Sequence, residues 1–309
     1  MSVKQIRSVS GLNIPFLQHQ TDTRGYVIFT LEFIQHSIQR VTAVYELCKT
    51  DSTPYCISQW CTMSSVLSFY VSYLLCLCLG FLCVVFVSYW NSKWRGGFAW
   101  DGSGLQFNWH PVLMVTGLVV VYGNAAVLYR IPLTWGENKL PWKLLHAVLM
   151  FLALLLAVLG LCAVFDFHNK QSTPNLYSVH SWVGICTVVL FATQWALGLC
   201  TFLLPCSPLD LRKFVKPLHV WMGSAIFIMG IISCISGINE KLIFSLKSGN
   251  KTQPYSTLPP EAVFANSLGI LIVAFGVVVL GILSKQSWRR PESGPEDDSS
   301  RPLLREERQ

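Results

Sequence analysis

The sequence FNWHPVLM, residues 107–114, places a histidine at the start of a long apolar run, and three later stretches repeat this arrangement. These stretches read WKLLHA (142–147), NLYSVHSWVG (175–184) and KPLHVWMG (216–223), and the four histidines are His110, His146, His180 and His219. Consecutive membrane helices run in opposite directions, so the first and third histidines are expected on one side of a bilayer. The second and fourth are expected on the other side. The pattern therefore predicts two histidine pairs stacked across one membrane, a first pair (His110 with His180) and a second pair (His146 with His219).

The composition indicates a membrane protein. Of the 309 residues, 52% are hydrophobic and only 13% are charged, against roughly 25% charged in an ordinary soluble domain. About 20 consecutive apolar residues can cross a bilayer as a helix. Six stretches qualify, and we number them as spans one to six: about residues 66–90, 111–129, 144–165, 178–204, 217–237 and 263–283. The sequence thus predicts an all-α membrane protein with six transmembrane helices, of which spans two to five form a four-helix core.

Three segments are expected along the chain. Residues 63–290 hold the six spans, and residues 1–62 are predicted to be a poorly ordered N-terminal extension. Residues 291–309 are charged and rich in polar residues, a composition that cannot bury an apolar core, so we expect a disordered tail.

The positions of lysine and arginine predict the orientation of the spans, since positive charge collects on the cytosolic side of membrane proteins. The segments before span one, between spans two and three, between spans four and five, and after span six hold 17 of the 23 basic residues. Both termini are therefore expected in the cytosol. The sequon at Asn250 then falls on the lumenal side, where it can be glycosylated. This distribution accounts for the net charge of +7 without a nucleic-acid partner.

Paired intramembrane histidines favour haem as the ligand. Ionisable residues inside spans are costly and usually functional, and neutral imidazole binds iron, zinc or copper. Zinc requires three or four protein ligands, whereas haem brings four nitrogens of its own and needs only two axial ligands. We therefore expect two haem b groups per chain, suited to electron transfer. The alternative from another class is a transporter whose histidines carry protons or bind metal without haem, although acidic residues that would line such a path are scarce in the spans.

Glycines follow three of the histidines at helical spacing. Gly117 lies seven residues after its histidine, and Gly184 and Gly223 each lie four residues after theirs. Residues at this spacing share a helix face, so these glycines are expected to leave room for a flat macrocycle. Ordinary close packing of membrane helices on small residues is the other interpretation.

Charged residues are concentrated beside both predicted sites. Basic side chains precede the second pair in two loops: Arg130, Lys139, Lys143, Arg212, Lys213 and Lys216. They form either a solvated cytosolic surface or an anion site for haem propionates or an acidic electron donor. His168 lies in a loop on the opposite side, where electrons would leave, and we expect it to bind a metal acceptor there.

The four motifs, followed by INEKLIFSL at residues 238–246, resemble the cytochrome b561 family of ascorbate-dependent transmembrane oxidoreductases over about residues 63–290. The amino-acid sequence of spans two to six resembles most that of the lysosomal member of the family. The resemblance implies a homodimer of six-helix subunits in the lipid bilayer, with cytosolic ascorbate as electron donor and ferric iron as acceptor across the membrane. Monodehydroascorbate is the alternative acceptor, in which case the protein would regenerate lumenal ascorbate.

The resemblance also implies roles for individual residues. The expected contacts are, for the lumenal haem, His110, His180, Asn175, Leu176, Tyr177, Ser178 and Glu240; for the cytosolic haem, His146, His219, Arg130, Lys139 and Arg289; for ascorbate, Lys139, Lys143 and Arg212; and for Fe3+, His168. Apart from the resemblance, Glu261 in the last lumenal loop is a second candidate for Fe3+. Phe167 departs from the duodenal member of the family, which has an asparagine beside the corresponding histidine.

The tail bears on location, because it contains the pair Leu303 and Leu304. Acidic dileucine sorting signals place an acid four residues before the first leucine, and that position is Ser299 here, with Asp298 one residue further away. Phosphorylation of Ser299 would supply the negative charge. The tail therefore predicts a late endosomal or lysosomal membrane.

Overall fold

The computed structural model describes residues 54–204, 207–247 and 253–291. Regular structure in these residues is helical throughout. Six of the helical segments are long and apolar enough to cross a membrane, which confirms the predicted all-α fold with six spans. Spans one to six correspond to the segments Pro54–Arg95, Gly104–Arg130, Lys139–Lys170, Val179–Phe202, Leu209–Ser245 and Pro260–Ser284.

Several sequence predictions concern residues outside the described part. These are most of the N-terminal extension, the sequon at Asn250, and the tail with Leu303 and Leu304. The chain divides into a unit of residues 1–67 and a unit of residues 68–309. All four histidines belong to the second unit.

Span two is the central helix of the bundle. In its most apolar window 56% of the residues are buried, against 17–33% in the other five spans. Its helical geometry changes along its length, in the order α (Gly104–Phe107), α (Trp109–Met114), π (Val115–Val121), α (Tyr122–Val127) and 3-10 (Leu128–Arg130). A π segment has more residues per turn than an α-helix and often marks a functional region. The α-helical spacing of 3.6 residues per turn that holds at His110 therefore ends at Met114, and residues after it face other directions than that spacing predicts.

Spans two to five pack against one another as predicted, and span six packs against spans two and five. Span six buries one face whose residues recur at intervals of three and four: Ala262, Ala265, Leu268, Ile272, Phe275, Val279 and Ile282. Such a stripe is the seam by which helices pack at a shallow angle. Gly123 of span two faces it, and a Cβ atom there would lie 2.7 Å from the Phe275 ring. Glycine is thus what lets spans two and six approach closely.

A buried ion pair ties span one to span six. The Glu261 carboxylate accepts a hydrogen bond from Trp90 Nε1 at 2.8 Å and pairs with the Arg95 guanidinium. Glu261 is only 7% exposed, so its charge depends on these two partners rather than on water.

Candidate functional site

The structure brings the histidines together in the predicted pairs. The ring centroids of the first pair, His110 and His180, are 6.1 Å apart, and those of the second pair, His146 and His219, are 6.4 Å apart. Two imidazoles on opposite sides of one metal ion, each at a bond length of about 2.0 Å, have their centroids about 6 Å apart. Both pairs therefore have the spacing that a bis-histidine iron centre requires.

Hydrogen bonds orient three of the four rings. The Nδ1 atoms of His110, His146 and His180 lie 3.0, 2.9 and 3.0 Å from the backbone oxygens of Gly160, Ala125 and Ser233. A carbonyl oxygen only accepts, so each Nδ1 must carry the hydrogen. Nε2 then has the free electron pair that a metal ligand needs.

His219 is held differently. Its Nδ1 atom is buried and has no hydrogen-bond acceptor among the described residues. The ring instead packs against the Phe202 ring, with centroids 5.4 Å apart, and against Gly198. Its backbone oxygen accepts a hydrogen bond from Gln194 Nε2 at 2.6 Å. Packing and a backbone anchor therefore position this ligand.

Two glycines make room for histidine rings across the interface of spans four and five. A Cβ atom on Gly237 of span five would lie 2.6 Å from Cε1 of His180 on span four. Reciprocally, a Cβ atom on Gly198 of span four would lie 3.0 Å from Cε1 of His219 on span five. Each helix thus supplies both a ligand and the gap for its neighbour's ligand.

The predicted role of the other glycines is only partly met. A Cβ atom on Gly117 would meet Ala153 O at 2.8 Å, so this glycine serves packing between spans two and three. Gly223 faces the Tyr122 hydroxyl at 3.6 Å, not a histidine ring. Gly184 does line the cavity of the first pair. The prediction was wrong for Gly117, whose space is filled by the backbone of span three, and it stays a prediction for Gly223.

The first pair borders a cavity of about 460 Å³, a volume in the range of cofactor sites. All the residues expected beside the lumenal haem line this cavity: His110, His180, Asn175, Leu176, Tyr177, Ser178 and Glu240. His168 lines it too. Sequence reasoning missed other lining residues, among them Trp90, Asn91, Phe107, Gly237 and Lys241. Lys241 carried no signal of this role, because it lies beyond the predicted end of span five at residue 237, and the helix that includes it extends to Ser245.

The turn before span four has a fixed geometry. Ser178 and Ser181 form a reciprocal capping box, in which each backbone N–H donates to the other side-chain oxygen at 3.1 and 3.2 Å. Leu176 has a φ of +54°, in the left-handed region that costs a non-glycine residue energy. Burial, and after it the Glu240 carboxylate, raise the pKa of Tyr177. The Tyr177 hydroxyl therefore remains a hydrogen-bond donor at the edge of the cavity.

The two candidate metal residues do not form one site. His168 was predicted in a loop, but the helix of span three continues to Lys170, so His168 lies in its last turn and lines the cavity. Glu261 is not among the cavity-lining residues, and its carboxylate is engaged by Trp90 and Arg95. We therefore do not retain Glu261 as an iron ligand. Among the described residues, no three histidine, cysteine or acidic side chains form a metal-binding cluster.

The basic residues near the second pair also bind helix ends. Arg130 donates to the backbone oxygens of Leu283 and Lys285, which terminate span six. Arg212 is buried and donates to Leu204 O at 3.1 Å, at the end of span four. These bonds fix the two guanidinium groups, whose positive charges remain on the side of the second pair.

The other residues predicted beside the second pair are Lys139, Lys143 and Arg289. Lys139 and Lys143 lie one turn apart at the start of span three, where Leu140 N donates to the capping Asn138 side chain at 2.9 Å. Arg289 is exposed and is a charged neighbour of Arg130.

An aromatic cluster fills the core between the two pairs. Tyr122 contacts Phe191 at a centroid distance of 4.8 Å and stacks on Phe227 at 5.7 Å, and all three are buried. The Tyr122 hydroxyl donates to Gly223 O at 2.8 Å, one turn after the second-pair ligand His219. The cluster excludes water from the region that separates the pairs.

The sequence profile and the most similar relatives point to the same protein family. The sequence profile described as eukaryotic cytochrome b561 matches residues 109–245, which include all four histidines. A lysosomal membrane ascorbate-dependent ferrireductase of Danio rerio is 65% identical over 242 residues, covering 78% of this chain and 98% of the relative. The Homo sapiens protein of that name is 59% identical over 236 residues, covering 76% and 96%. A plasma membrane ascorbate-dependent reductase of Xenopus laevis is 47% identical over 233 residues, covering 75% and 80%.

These similarities extend over nearly the whole length of the first two relatives, and the family is one that binds haem b. The paired, oriented histidines and the cofactor-sized cavity beside them fit such a group. The chain belongs to the eukaryotic cytochrome b561 family.

Proposed function

We propose that this protein is a transmembrane ascorbate-dependent ferric reductase with two haem b groups per chain, one at each histidine pair. The observation that carries the proposal is the geometry of the pairs, with centroid separations of 6.1 and 6.4 Å. His110 lies near the start of span two and His146 near the start of span three, so the pairs lie at opposite ends of the bundle. The names of the relatives supply the donor and the acceptor.

Bound haem would supply one-electron chemistry, and the chain's own residues set the conditions for it. The histidines present Nε2, the backbone oxygens hold their rings, and the apolar core keeps water away. A haem held by two histidines would supply electron transfer rather than oxygen binding.

At the cytosolic end, Lys139, Lys143 and Arg212 would bind ascorbate. Ascorbate is an anion at neutral pH, and three cations near the second pair would attract and orient it. Arg212 is already fixed by its bond to Leu204 O, so it offers a preorganised contact.

At the lumenal end, His168 would contact Fe3+ at the edge of the first-pair cavity. Imidazole is a common ligand of iron. Because the structure brings His168 into the cavity that the first pair borders, we propose that acceptor and haem meet there.

Location and assembly complete the proposal. We expect a late endosomal or lysosomal membrane, in keeping with the relatives' names, with both termini in the cytosol and two chains forming a homodimer. The charge distribution along the sequence supports this orientation.

The test uses the full chain in vesicles loaded with ascorbate, with a ferric chelate outside and ferrous iron measured by a chromophoric chelator. We expect two haems per chain, reduction by ascorbate, and ferrous iron appearing outside. His146→Ala should retain one haem per chain and lose transfer, whereas His168→Ala should retain both haems and slow only the last step. A colourless protein would favour the histidine-lined transporter. Two haems retained in His146→Ala would contradict the pairing, and reoxidation by monodehydroascorbate but not by ferric chelates would favour the alternative acceptor.

A further inference from the structure

Lys241 is a cation in the first-pair cavity that the proposed function leaves unused. Its side chain lines the cavity and is partly buried. Its Nζ atom lies 3.9 Å from the centroid of the Phe107 ring, a cation–π contact. Arg95, another cation, acts on it electrostatically. Within the described residues Lys241 forms no ion pair, whereas the charge of Arg95 is matched by Glu261.

Such an arrangement is unusual because charged groups in membrane spans normally pair with one another. The site has a positive charge that faces a ligand-sized space, and no carboxylate of the described residues forms an ion pair with it. An anionic ligand entering the cavity would complete the pair.

Aromatic contacts show where that anion would be. The Phe107 ring, which lies under the Lys241 ammonium, is 5.9 Å from the His110 ring and 5.3 Å from the Phe167 ring. Phe167 in turn is 5.7 Å from the ring of His168. The cation, the proposed iron contact and a ligand of the first pair thus surround the same part of the cavity.

The charges around His168 have opposite signs. Both Glu240 and Lys241 act electrostatically on His168, and Glu240 also acts on Tyr177. A metal ion carried by carboxylates matches this pattern, since the metal can approach His168 and Glu240 while a carboxylate approaches Lys241. A free metal cation would contact His168 and Glu240 but would leave Lys241 without an anionic partner from the ligand.

We propose that Lys241 binds a carboxylate of the iron-carrying ligand, so that the acceptor is an anionic ferric carboxylate chelate rather than the free ion. This inference rests on the proposed function and specifies its substrate. One electron that originates from ascorbate reduces Fe3+ to Fe2+ within the chelate. The carboxylate is held but not consumed, and no covalent bond forms or breaks on Lys241.

The experiment measures how fast the ascorbate-reduced protein is reoxidised by two acceptors of opposite charge. Ferric citrate is the anionic carboxylate chelate, and hexaammineruthenium(III) is a cation without carboxylates. Lys241→Met keeps the length of the side chain but removes its charge, Lys241→Arg keeps the charge, and Lys247→Met is a matched control at an exposed lysine near the end of the same span.

We expect Lys241→Met to lower the second-order rate constant for ferric citrate about tenfold and to leave the ruthenium rate unchanged or raised. Lys241→Arg should stay within about twofold of wild type, and Lys247→Met should equal wild type. Added salt should slow wild type with ferric citrate more than it slows Lys241→Met, because screening weakens the attraction that only wild type has.

Haem content and midpoint potential are measured on every variant. An unchanged ferric citrate rate in Lys241→Met would overturn the proposal. So would lost haem, a shifted potential or equal slowing with both acceptors, since these results would mean that Lys241 holds a haem propionate instead. Failure of the proposed function looks different, because wild type itself would then not be reoxidised by ferric citrate.

Discussion

Substituting Gly237 by alanine should disturb the first histidine pair and leave the second intact. The added Cβ atom would lie 2.6 Å from Cε1 of His180, 3.0 Å from Nδ1 and 3.2 Å from Nε2. Carbon atoms in favourable contact are about 3.5–4.0 Å apart, so the ring must retreat by roughly 1 Å. Metal–ligand distances are held within about 0.2 Å. The required displacement is several times larger, and His180 cannot keep both its hydrogen bond to Ser233 O and its present spacing from His110.

The assay is haem per chain in purified Gly237→Ala, together with the absorption spectrum of the reduced protein. We expect a value near one haem per chain, with the signal of the second pair retained. Gly281→Ala is the control, because a Cβ atom there meets nothing within 4 Å and alanine favours a helix over glycine by about 1 kcal/mol. Gly198→Ala should affect the second pair instead, and more mildly, since its Cβ atom is 3.0 Å from the His219 ring. Gly237→Ala with two haems and an unchanged spectrum would refute the reasoning.

Three other changes test separate parts of the structure. Glu261→Gln should lower the unfolding free energy by about 3–5 kcal/mol, because it leaves the buried Arg95 charge without its partner. Thermal unfolding in detergent measures this loss, and a change below about 1 kcal/mol would mean that water solvates the pair. Tyr122→Phe removes the hydroxyl that donates to the Gly223 oxygen and should cost about 1 kcal/mol without changing haem content. A loss of haem would show that this hydroxyl shapes the second site. Asn250→Gln should abolish the mobility shift that glycosidase treatment produces on wild type, and an unglycosylated wild type would argue against a lumenal loop.

The six spans and the pairing of the histidines could be predicted from sequence because both depend on local information. An apolar run long enough to cross a membrane is visible in composition alone, and alternating span direction then decides which histidines meet. The contacts of Asn175 and Ser178 with the cavity follow from their closeness to His180 in the chain. Their expected role came from the family resemblance.

Contacts between residues of different helices could not be predicted from the sequence of either helix alone. Gly237 and Gly198 matter because of what lies across the interface between spans four and five, and no spacing within one helix shows that. The Arg95 and Glu261 pair joins residues 166 positions apart. The π segment of span two is built from valine, glycine, threonine and leucine, residues that also occur in α-helical membrane spans, so its composition does not distinguish it.

The carbonyl partners of the histidines bear on how the site tolerates mutation and acidity. A side-chain carboxylate in that role could be lost by one substitution, and it would be neutralised in an acidic compartment. The oxygens of Gly160, Ala125 and Ser233 belong to the main chain, so replacing those side chains does not remove them. A backbone oxygen also does not titrate in the physiological range. The orientation of these three rings is thereby insensitive both to side-chain substitution at the acceptor residues and to falling pH.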